Sequence, residues 1–156
     1  MISEPLRHPL SMFDVRDKVA VITGASGTFG RAVALALTSL GGKVVLAAGS
    51  ASELEEVAKE VRELGGDPLA LLKRPDSVEA ANEIRDAALK KFGRIDQLVI
   101  ASGYNKAGFI QDQPLEEWQS IMDANVKGAW VMAKAVGSYW LQNKIKGKVL
   151  LMSSVR

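Results

Sequence analysis

The stretch Lys18-Val-Ala-Val-Ile-Thr-Gly-Ala-Ser-Gly-Thr-Phe-Gly30 decides the fold of this chain. Residues 18–23 form a short apolar run rich in β-branched side chains, which is typical of a strand buried on both faces of a parallel sheet. A glycine-rich turn follows at once, and apolar residues with helical spacing begin at residue 28. A strand, a glycine-rich turn and a helix in this order predict a dinucleotide-binding unit.

The glycines of the turn differ in what they are expected to do. Gly24 lets the chain turn sharply, whereas Gly27 and Gly30 leave room where a ligand or the sheet comes close. The free N–H groups at the start of the helix suit a diphosphate, because they lie at the positive end of the helix dipole. The candidate cofactor-binding residues of the turn are Gly24, Ser26, Gly27, Thr28, Phe29 and Gly30. For the glycines alone, a tight turn that binds no ligand is the alternative.

The alternation of strands and helices continues along the chain. Further strands are predicted at 43–48, 69–72, 97–101 and 148–153, and helices at 28–40, 77–92 and 115–143. Another helix is predicted to start at a capping box formed by Ser52 and Glu55 and to end before Gly65. This pattern predicts a doubly wound, Rossmann-type α/β fold, with about five parallel strands and helices on both faces.

Composition excludes several classes of protein. The 156 residues, 47% hydrophobic and 24% charged, suit one soluble globular domain. We expect residues 1–12 to be a flexible leader and residues 13–156 to form the dinucleotide-binding domain. The 20 basic and 18 acidic residues are interleaved, so neither nucleic acid nor an anionic membrane is an expected partner.

Reactive side chains are scarce as well. The absence of cysteine and the single histidine, His8, argue against a metal site and against a Ser-His-Asp triad. No apolar stretch has the length of a membrane span or a signal peptide, which predicts a cytoplasmic location.

The end of the second predicted strand bears on the choice of cofactor. In dinucleotide folds an acidic residue about 20 residues beyond the glycines binds the adenosine ribose. Ala48-Gly49-Ser50 stands there instead, and no acid occurs before Glu53. The sequence therefore favours NADP, with Ser50 or Ser52 as a phosphate donor, and leaves NAD possible. A neutral loop that reads neither cofactor is the alternative.

Four segments together resemble the short-chain dehydrogenase/reductase family. They are residues 18–24, Gly93-Arg-Ile-Asp-Gln-Leu-Val99 leading to Ser102-Gly103, Trp118 with Asp123-Ala-Asn-Val-Lys-Gly128, and Gly147-Lys-Val-Leu-Leu-Met-Ser-Ser154. They occur in the family's order, and the resemblance as a whole covers residues 13–156. The resemblance implies an NAD(P)-dependent oxidoreductase that moves hydride between nicotinamide and a small-molecule carbonyl or alcohol.

The resemblance also assigns roles to particular residues. It places Ala101, Ser102 and Gly103 at the cofactor, and it makes Asn125 a member of the catalytic set that holds a helix irregularity and a water. It implies a homo-oligomer formed through the 115–143 helix, with Trp130 and Trp140 either in that interface or buried against the sheet. Residues 104–113 would form one wall of the substrate pocket, with candidates Tyr104, Asn105 and Phe109.

Several positions depart from the family pattern. Thr28 stands where a glycine is usual, and Ile100-Ala-Ser-Gly103 replaces Asn-Asn-Ala-Gly. Arg74 falls where the family has an aspartate near the adenine, and it is predicted either to approach the nucleotide or to be solvated.

The family's catalytic Ser and its Tyr-x-x-x-Lys motif are absent, because Gly108 and Asn143 follow the two tyrosines at that spacing. The chain is therefore expected to be the first half of such an enzyme, truncated after the fifth strand and inactive alone. A non-catalytic dinucleotide-binding or interaction scaffold is the alternative.

Overall fold

The structure is a computed structural model that describes Arg7 and residues 9–153. The strands are β1 (Val19–Thr23), β2 (Lys43–Ala48), β3 (Leu69–Leu72), β4 (Gln97–Ile100) and β5 (Lys148–Leu151). The helices are α1 (Thr28–Ser39), α2 (Ala51–Glu63), α3 (Val78–Phe92), α4 (Leu115–Met122) and α5 (Gly128–Gln142). Two 3-10 turns, Pro9–Phe13 and Ile110–Asp112, and a π-helical turn, Asp123–Lys127, complete the described elements.

The five strands form one parallel sheet in the order β3-β2-β1-β4-β5. From β1 the chain builds outward through β2 to β3, and then returns to place β4 on the other side of β1. Thr23 at the end of β1 is in register with Ala47 of β2 and Ile100 of β4. The predicted doubly wound, Rossmann-type fold is confirmed, and the reversal of strand order between β1 and β4 opens a crevice at their carboxyl ends.

Helices cover both faces of the sheet because successive side chains of each buried strand point to opposite faces. On one face Ala20, Ile22 and Val44 pack with residues of α1 and α2. On the other face Val21 and Leu98 pack with residues of α3 and α5. This arrangement explains the unbroken apolar runs, since neither face of the central strands meets water.

The two tryptophans of α5 have opposite environments. Trp140 is 7% exposed and packs in the core, and its indole Nε1 donates to the carbonyl of Ile95 at 2.7 Å. Trp130 is 58% exposed, and the Lys134 ammonium lies 4.8 Å from the centre of its ring. Of the two sequence alternatives, burial against the sheet is therefore correct for Trp140, and only Trp130 is free to form an interface.

Two local predictions need correction. The helix predicted over 115–143 is present from Leu115 to Gln142 without a break, but a π turn at Asp123–Lys127 separates α4 from α5. The capping box at Ser52 does not form, because α2 begins at Ala51 and Ser50 takes the N-cap position. The acid three residues beyond this N-cap is Glu53, whose carboxylate accepts a hydrogen bond from Ser26 Oγ at 3.2 Å.

Other expectations fall partly outside the described residues. His8 and most of the 1–12 leader lie there, although residues 9–12 belong to the first 3-10 turn. Within residues 9–153 no helix is long and apolar enough to cross a membrane.

Strand β5 is the outermost strand on its side of the sheet. Its side chains are exposed, including 48% of Val149 and 59% of Leu151. An apolar strand with one unpaired edge is a template for pairing with another strand.

Asp96 joins the amino ends of β1 and β4, at the edge of the sheet opposite the crevice. Its carboxylate accepts the main-chain N–H of Val19 at 3.0 Å and two hydrogen bonds from Arg94 at 2.9 and 2.6 Å. Burial by itself raises the pKa of Asp96, but the hydrogen bonds from Arg94 and Val19 and the charges of Arg94 and Lys18 outweigh it. The net result is a pKa below the ordinary value.

We expect this carboxylate to make the stability of the fold depend on acid pH. A lowered native pKa stabilises the fold fully above the unfolded-state pKa of about 3.9, and this contribution disappears as the pH falls through the native value. Asp96→Asn should therefore lower the free energy of unfolding at pH 7 and flatten its decline below about pH 4, measured by urea denaturation at a series of pH values.

The matched control is Asp14→Asn. Arg16 lowers the pKa of Asp14 to about 2, but the two residues are exposed and only two positions apart. The pair can therefore form in the unfolded chain as well, so its loss should change the pH profile little. Equal profiles for wild type and the Asp96 variant would contradict the assignment.

Candidate functional site

A crevice of about 500 Å³ lies at the carboxyl ends of β1 and β4. The sequence-predicted residues that line it are Gly24, Ser26, Gly27, Ala101, Ser102 and Gly103. The remaining lining comes from residues 47–49 at the carboxyl end of β2, residues 73–76 after β3, Tyr104, and Ser120, Asp123, Ala124, Lys127 and Gly128. The glycine turn after β1 and the carboxyl ends of the three strands β2, β3 and β4 thus meet in one place.

Two glycines of the turn are required by close backbone contacts. Gly24 has φ +65°, and a Cβ placed on it would lie 2.5 Å from the Ser102 nitrogen and 2.6 Å from the Ala101 oxygen. A Cβ on Gly30 would overlap the carbonyl oxygen of Gly24. The turn therefore packs against the residues just after β4, and the first turn of α1 packs against the glycine turn.

The start of α1 is open toward the crevice. Gly27 is the N-cap residue, and no side chain caps the helix. A Cβ on Gly27 would meet only the Gly24 oxygen, at 3.3 Å, so the approach over this residue is nearly clear. Uncapped N–H groups and the positive end of the helix dipole can bind a phosphate-sized anion here.

The end of β4 is fixed by a hydroxyl pair and a close approach. Thr23 Oγ1 and Ser102 Oγ are hydrogen-bonded at 2.9 Å, which joins the carboxyl ends of β1 and β4. Gly103 lies against Asn125, because a Cβ on Gly103 would be 2.7 Å from Asn125 Oδ1. The segment 101–103, which forms one wall of the crevice, is therefore held between Thr23 and Asn125.

Asn125 holds the main chain of Tyr104 from both sides. Its Nδ2 donates to the carbonyl of Tyr104 at 2.6 Å, and its Oδ1 accepts the N–H of Tyr104 at 3.3 Å. Nδ2 also donates to the carbonyl of Ile121 at 2.9 Å, the acceptor that the N–H of residue 125 would use in a regular α-helix. The side chain thus stabilises the π turn and fixes the loop after β4 against it.

The loop 104–113 has a second attachment to α4. Lys106 Nζ lies 2.7 Å from the Glu117 carboxylate, and this hydrogen-bonded pair raises the pKa of Lys106. Of the predicted wall residues, Tyr104 lines the crevice, whereas Asn105 and Phe109 lie outside its lining.

Several residues predicted for the cofactor do not line the crevice. Gly30 is buried beneath Gly24, Phe29 is 66% exposed, Thr28 begins α1 at the surface, and Ser50 is at the N-cap of α2. Asn125 contacts Gly103 and the main chain of Tyr104 but does not itself line the crevice.

The segment after β3 contributes more to the site than the sequence suggested. Lys73, Arg74, Pro75 and Asp76 line the crevice, and only Arg74 among them was a candidate for the nucleotide. Their position after a parallel strand was the available signal, because the carboxyl ends of such strands meet at one edge.

Arg74 lies across the end of β2. A Cβ on Gly49 would overlap its Nε and would come within 2.7 Å of its Cζ, so the guanidinium covers the bare backbone of Gly49. In the described part of the chain, Lys73 pairs with Glu83, and Lys127 with Asp123 at 3.1 Å, whereas Arg74 has no hydrogen bond or ion pair.

Comparison with known proteins decides the family. The sequence profile described as short chain dehydrogenase matches residues 18–156. The chain belongs to the short-chain dehydrogenase family. The family resemblance found in the sequence is therefore confirmed.

Relatives and solved structures agree with this membership. An uncharacterized oxidoreductase of Mycobacterium tuberculosis is 40% identical over 148 residues, which are 94% of this chain and 54% of that protein. A crystal structure of a short-chain type dehydrogenase/reductase from Mycobacterium marinum matches with a TM-score of 0.86 and 33% identity, over 90% of this chain and 57% of that one. NAD+-bound xylitol dehydrogenase matches with a TM-score of 0.76 and 30% identity, over 86% and 52%. The chain spans about half the length of the curated relatives it matches.

Proposed function

We propose that residues 13–156 form the cofactor-binding half of an NAD(P)-dependent oxidoreductase that interconverts a carbonyl and an alcohol. The observation that carries this proposal is the crevice at the β1–β4 switch point, where a glycine turn leads into the uncapped start of α1. Nicotinamide nucleotides place a diphosphate at such a turn in related folds. The family membership supports the same reaction class.

The residues present fit a dinucleotide. A side chain on Gly24 or Gly30 would overlap backbone, and the nearly clear face over Gly27 leaves room for a diphosphate. Ala101–Gly103 and Tyr104 would lie beside the nicotinamide half, and residues 47–49 beside the adenosine half. When bound, the nicotinamide supplies or accepts the hydride.

Within this scheme Asn125 is a positioning residue. Its three hydrogen bonds fix the π turn and the main chain of Tyr104, and hence the wall formed by Gly103. The family's Tyr-x-x-x-Lys motif acts on the proton of the substrate, and the present chain has no such motif. We therefore propose that this chain alone binds the cofactor without turnover.

We propose NADP as the cofactor of this crevice. The absence of a carboxylate at the end of β2 supports NADP, while the NAD+-bound xylitol dehydrogenase keeps NAD as the second candidate.

Tyr104, Asn105 and Phe109 are proposed to contact the substrate. A homo-oligomer through residues 115–143 is supported by the exposed Val126 and Trp130. The cytoplasmic location stays a prediction from the sequence.

A non-catalytic interaction scaffold is the second candidate function. It is favoured by the altered glycine spacing at Thr28 and by the replacement of the family's asparagines in the segment Ile100-Ala-Ser-Gly103.

Calorimetric titration with NADPH and with NADH separates the two candidates. We expect saturable binding of at least one nucleotide with a stoichiometry of one per chain, because the crevice is formed by described residues alone. AMP is the control ligand, since it lacks the diphosphate and should bind more weakly. A protein that shows a cooperative urea unfolding transition and binds neither dinucleotide would favour the scaffold.

A further inference from the structure

Arg74 presents a free positive charge at the adenosine end of the crevice. In dinucleotide folds the ribose hydroxyls of the adenosine lie at the carboxyl end of the second strand. Here that end is Ala48-Gly49, and the Arg74 guanidinium covers Gly49. We propose that Arg74 binds the 2′-phosphate of NADP and is the residue that makes this chain select NADP over NAD. The inference rests on the proposed function, because it needs the dinucleotide in this crevice.

The charges around Arg74 favour this role. Lys73 is neutralised by Glu83, and Lys127 by Asp123, so Arg74 is the cation of the described lining with no anionic partner. A guanidinium can form two parallel hydrogen bonds to a phosphate, which a lysine cannot. Asp76 also lines the crevice and would repel a phosphate. The contact with Gly49 places Arg74 directly at the end of β2, whereas Asp76 stands two residues further toward α3.

The lack of a side chain at Gly49 allows Arg74 to occupy this position. A side chain at this position would overlap Nε of Arg74 and force the guanidinium away from the end of β2. Many dinucleotide folds have an acidic residue at this place, which accepts a hydrogen bond from a free 2′-hydroxyl. Here Gly49 and Arg74 put an exposed cation there instead, and a cation attracts a phosphate. The arginine comes from the segment after β3 and not from the segment after β2.

The test compares dissociation constants of NADPH and NADH for variants of the 156-residue chain, measured by calorimetric titration. Arg74→Ala is expected to weaken NADPH binding about 10- to 100-fold, the range for a lost hydrogen bond to a charged group, and to change NADH binding less than about 3-fold. Gly49→Ala should reduce the preference for NADPH without removing any charge. Arg74→Lys keeps the positive charge but cannot form the two parallel hydrogen bonds, so its preference for NADPH should lie between those of the wild type and Arg74→Ala.

Arg62→Ala is the matched control for net charge. Arg62 is exposed on α2 and paired with Glu55 at 2.7 Å, so its loss should leave the ratio of the two constants unchanged. Equal weakening of both nucleotides by Arg74→Ala, or no change in either, would overturn the role of Arg74 while leaving the crevice as the cofactor site. A wild-type chain that binds neither nucleotide would overturn the proposed function and this inference together. Unfolding midpoints of all variants, measured in urea, show that each is folded under the conditions of titration.

Discussion

Replacing Trp140 by alanine is expected to lower the free energy of unfolding by about 3–5 kcal/mol, the range for truncation of a buried tryptophan. The indole lies between α5 and the sheet, and its Nε1 satisfies the carbonyl of Ile95. Gly147 approaches the ring so closely that a Cβ there would overlap it, so the segment before β5 is packed onto the indole. The variant would leave a cavity beneath the segment before β5 and an unpaired carbonyl at Ile95, just before β4.

Urea denaturation followed by circular dichroism measures this effect. Trp130→Ala is the matched control, because it removes the same side chain from the same helix at an exposed position, and we expect a change below about 1 kcal/mol. Trp140→Phe keeps most of the volume and should cost about 1–3 kcal/mol through the unsatisfied carbonyl. Equal losses for the two alanine variants would contradict the assignment of Trp140 to the core.

Sedimentation of the Trp130 variant examines the proposed oligomer. If residues 115–143 form the interface, Trp130→Ala should shift the protein toward monomer while its unfolding transition stays intact. Unchanged association would show that this face of α5 is not the interface.

Replacing Gly24 by alanine is expected to abolish detectable dinucleotide binding and to lower the free energy of unfolding by about 2–5 kcal/mol. The left-handed backbone at φ +65° contributes about 1–2 kcal/mol and the overlap with Ala101 and Ser102 about 1–3 kcal/mol. Relief of the overlap would separate the turn from β4, which removes the shape of the crevice as well as stability.

The control for Gly24 is another glycine with nearly the same conformation. Gly65 has φ +82°, but a Cβ placed on it would have nothing within 4 Å, so Gly65→Ala carries the conformational cost without the overlap. It should lose only about 1–2 kcal/mol and retain NADPH and NADH binding in the same calorimetric titration. Retention of full affinity by the Gly24 variant would show that the dinucleotide does not depend on this turn.

The parallel sheet followed from local features of the sequence. Runs such as residues 43–48 are apolar almost throughout because both faces of the strand are covered, and this pattern can be recognised without knowing what covers it. The doubly wound topology was predicted from the order of strands and helices, since right-handed crossovers leave few topologies. Local spacing was less informative at helix ends, as the shift of the N-cap from Ser52 to Ser50 shows.

The π turn shows where a regular pattern misleads. The apolar spacing over 115–143 is that of one helix, and only the resemblance to a family pointed to an irregularity held by Asn125. The structure supplies the physical cause, because this side chain donates both to Ile121 in the helix and to Tyr104 in the loop. A contact between residues 21 positions apart leaves no periodic trace in the sequence.

The sequence by itself determined the parallel sheet, the glycine turn and the family, because these depend on hydrophobic periodicity, glycine spacing and segments of contiguous residues. Only the tertiary structure decided that Trp140 is buried while Trp130 is exposed, and that Arg74 lies over Gly49. These outcomes depend on which side chains meet after distant segments pack together. Two tryptophans on one helix can each be buried or exposed, and an arginine in a loop can contact the backbone or solvent. The surface that packs against them decides which of these occurs.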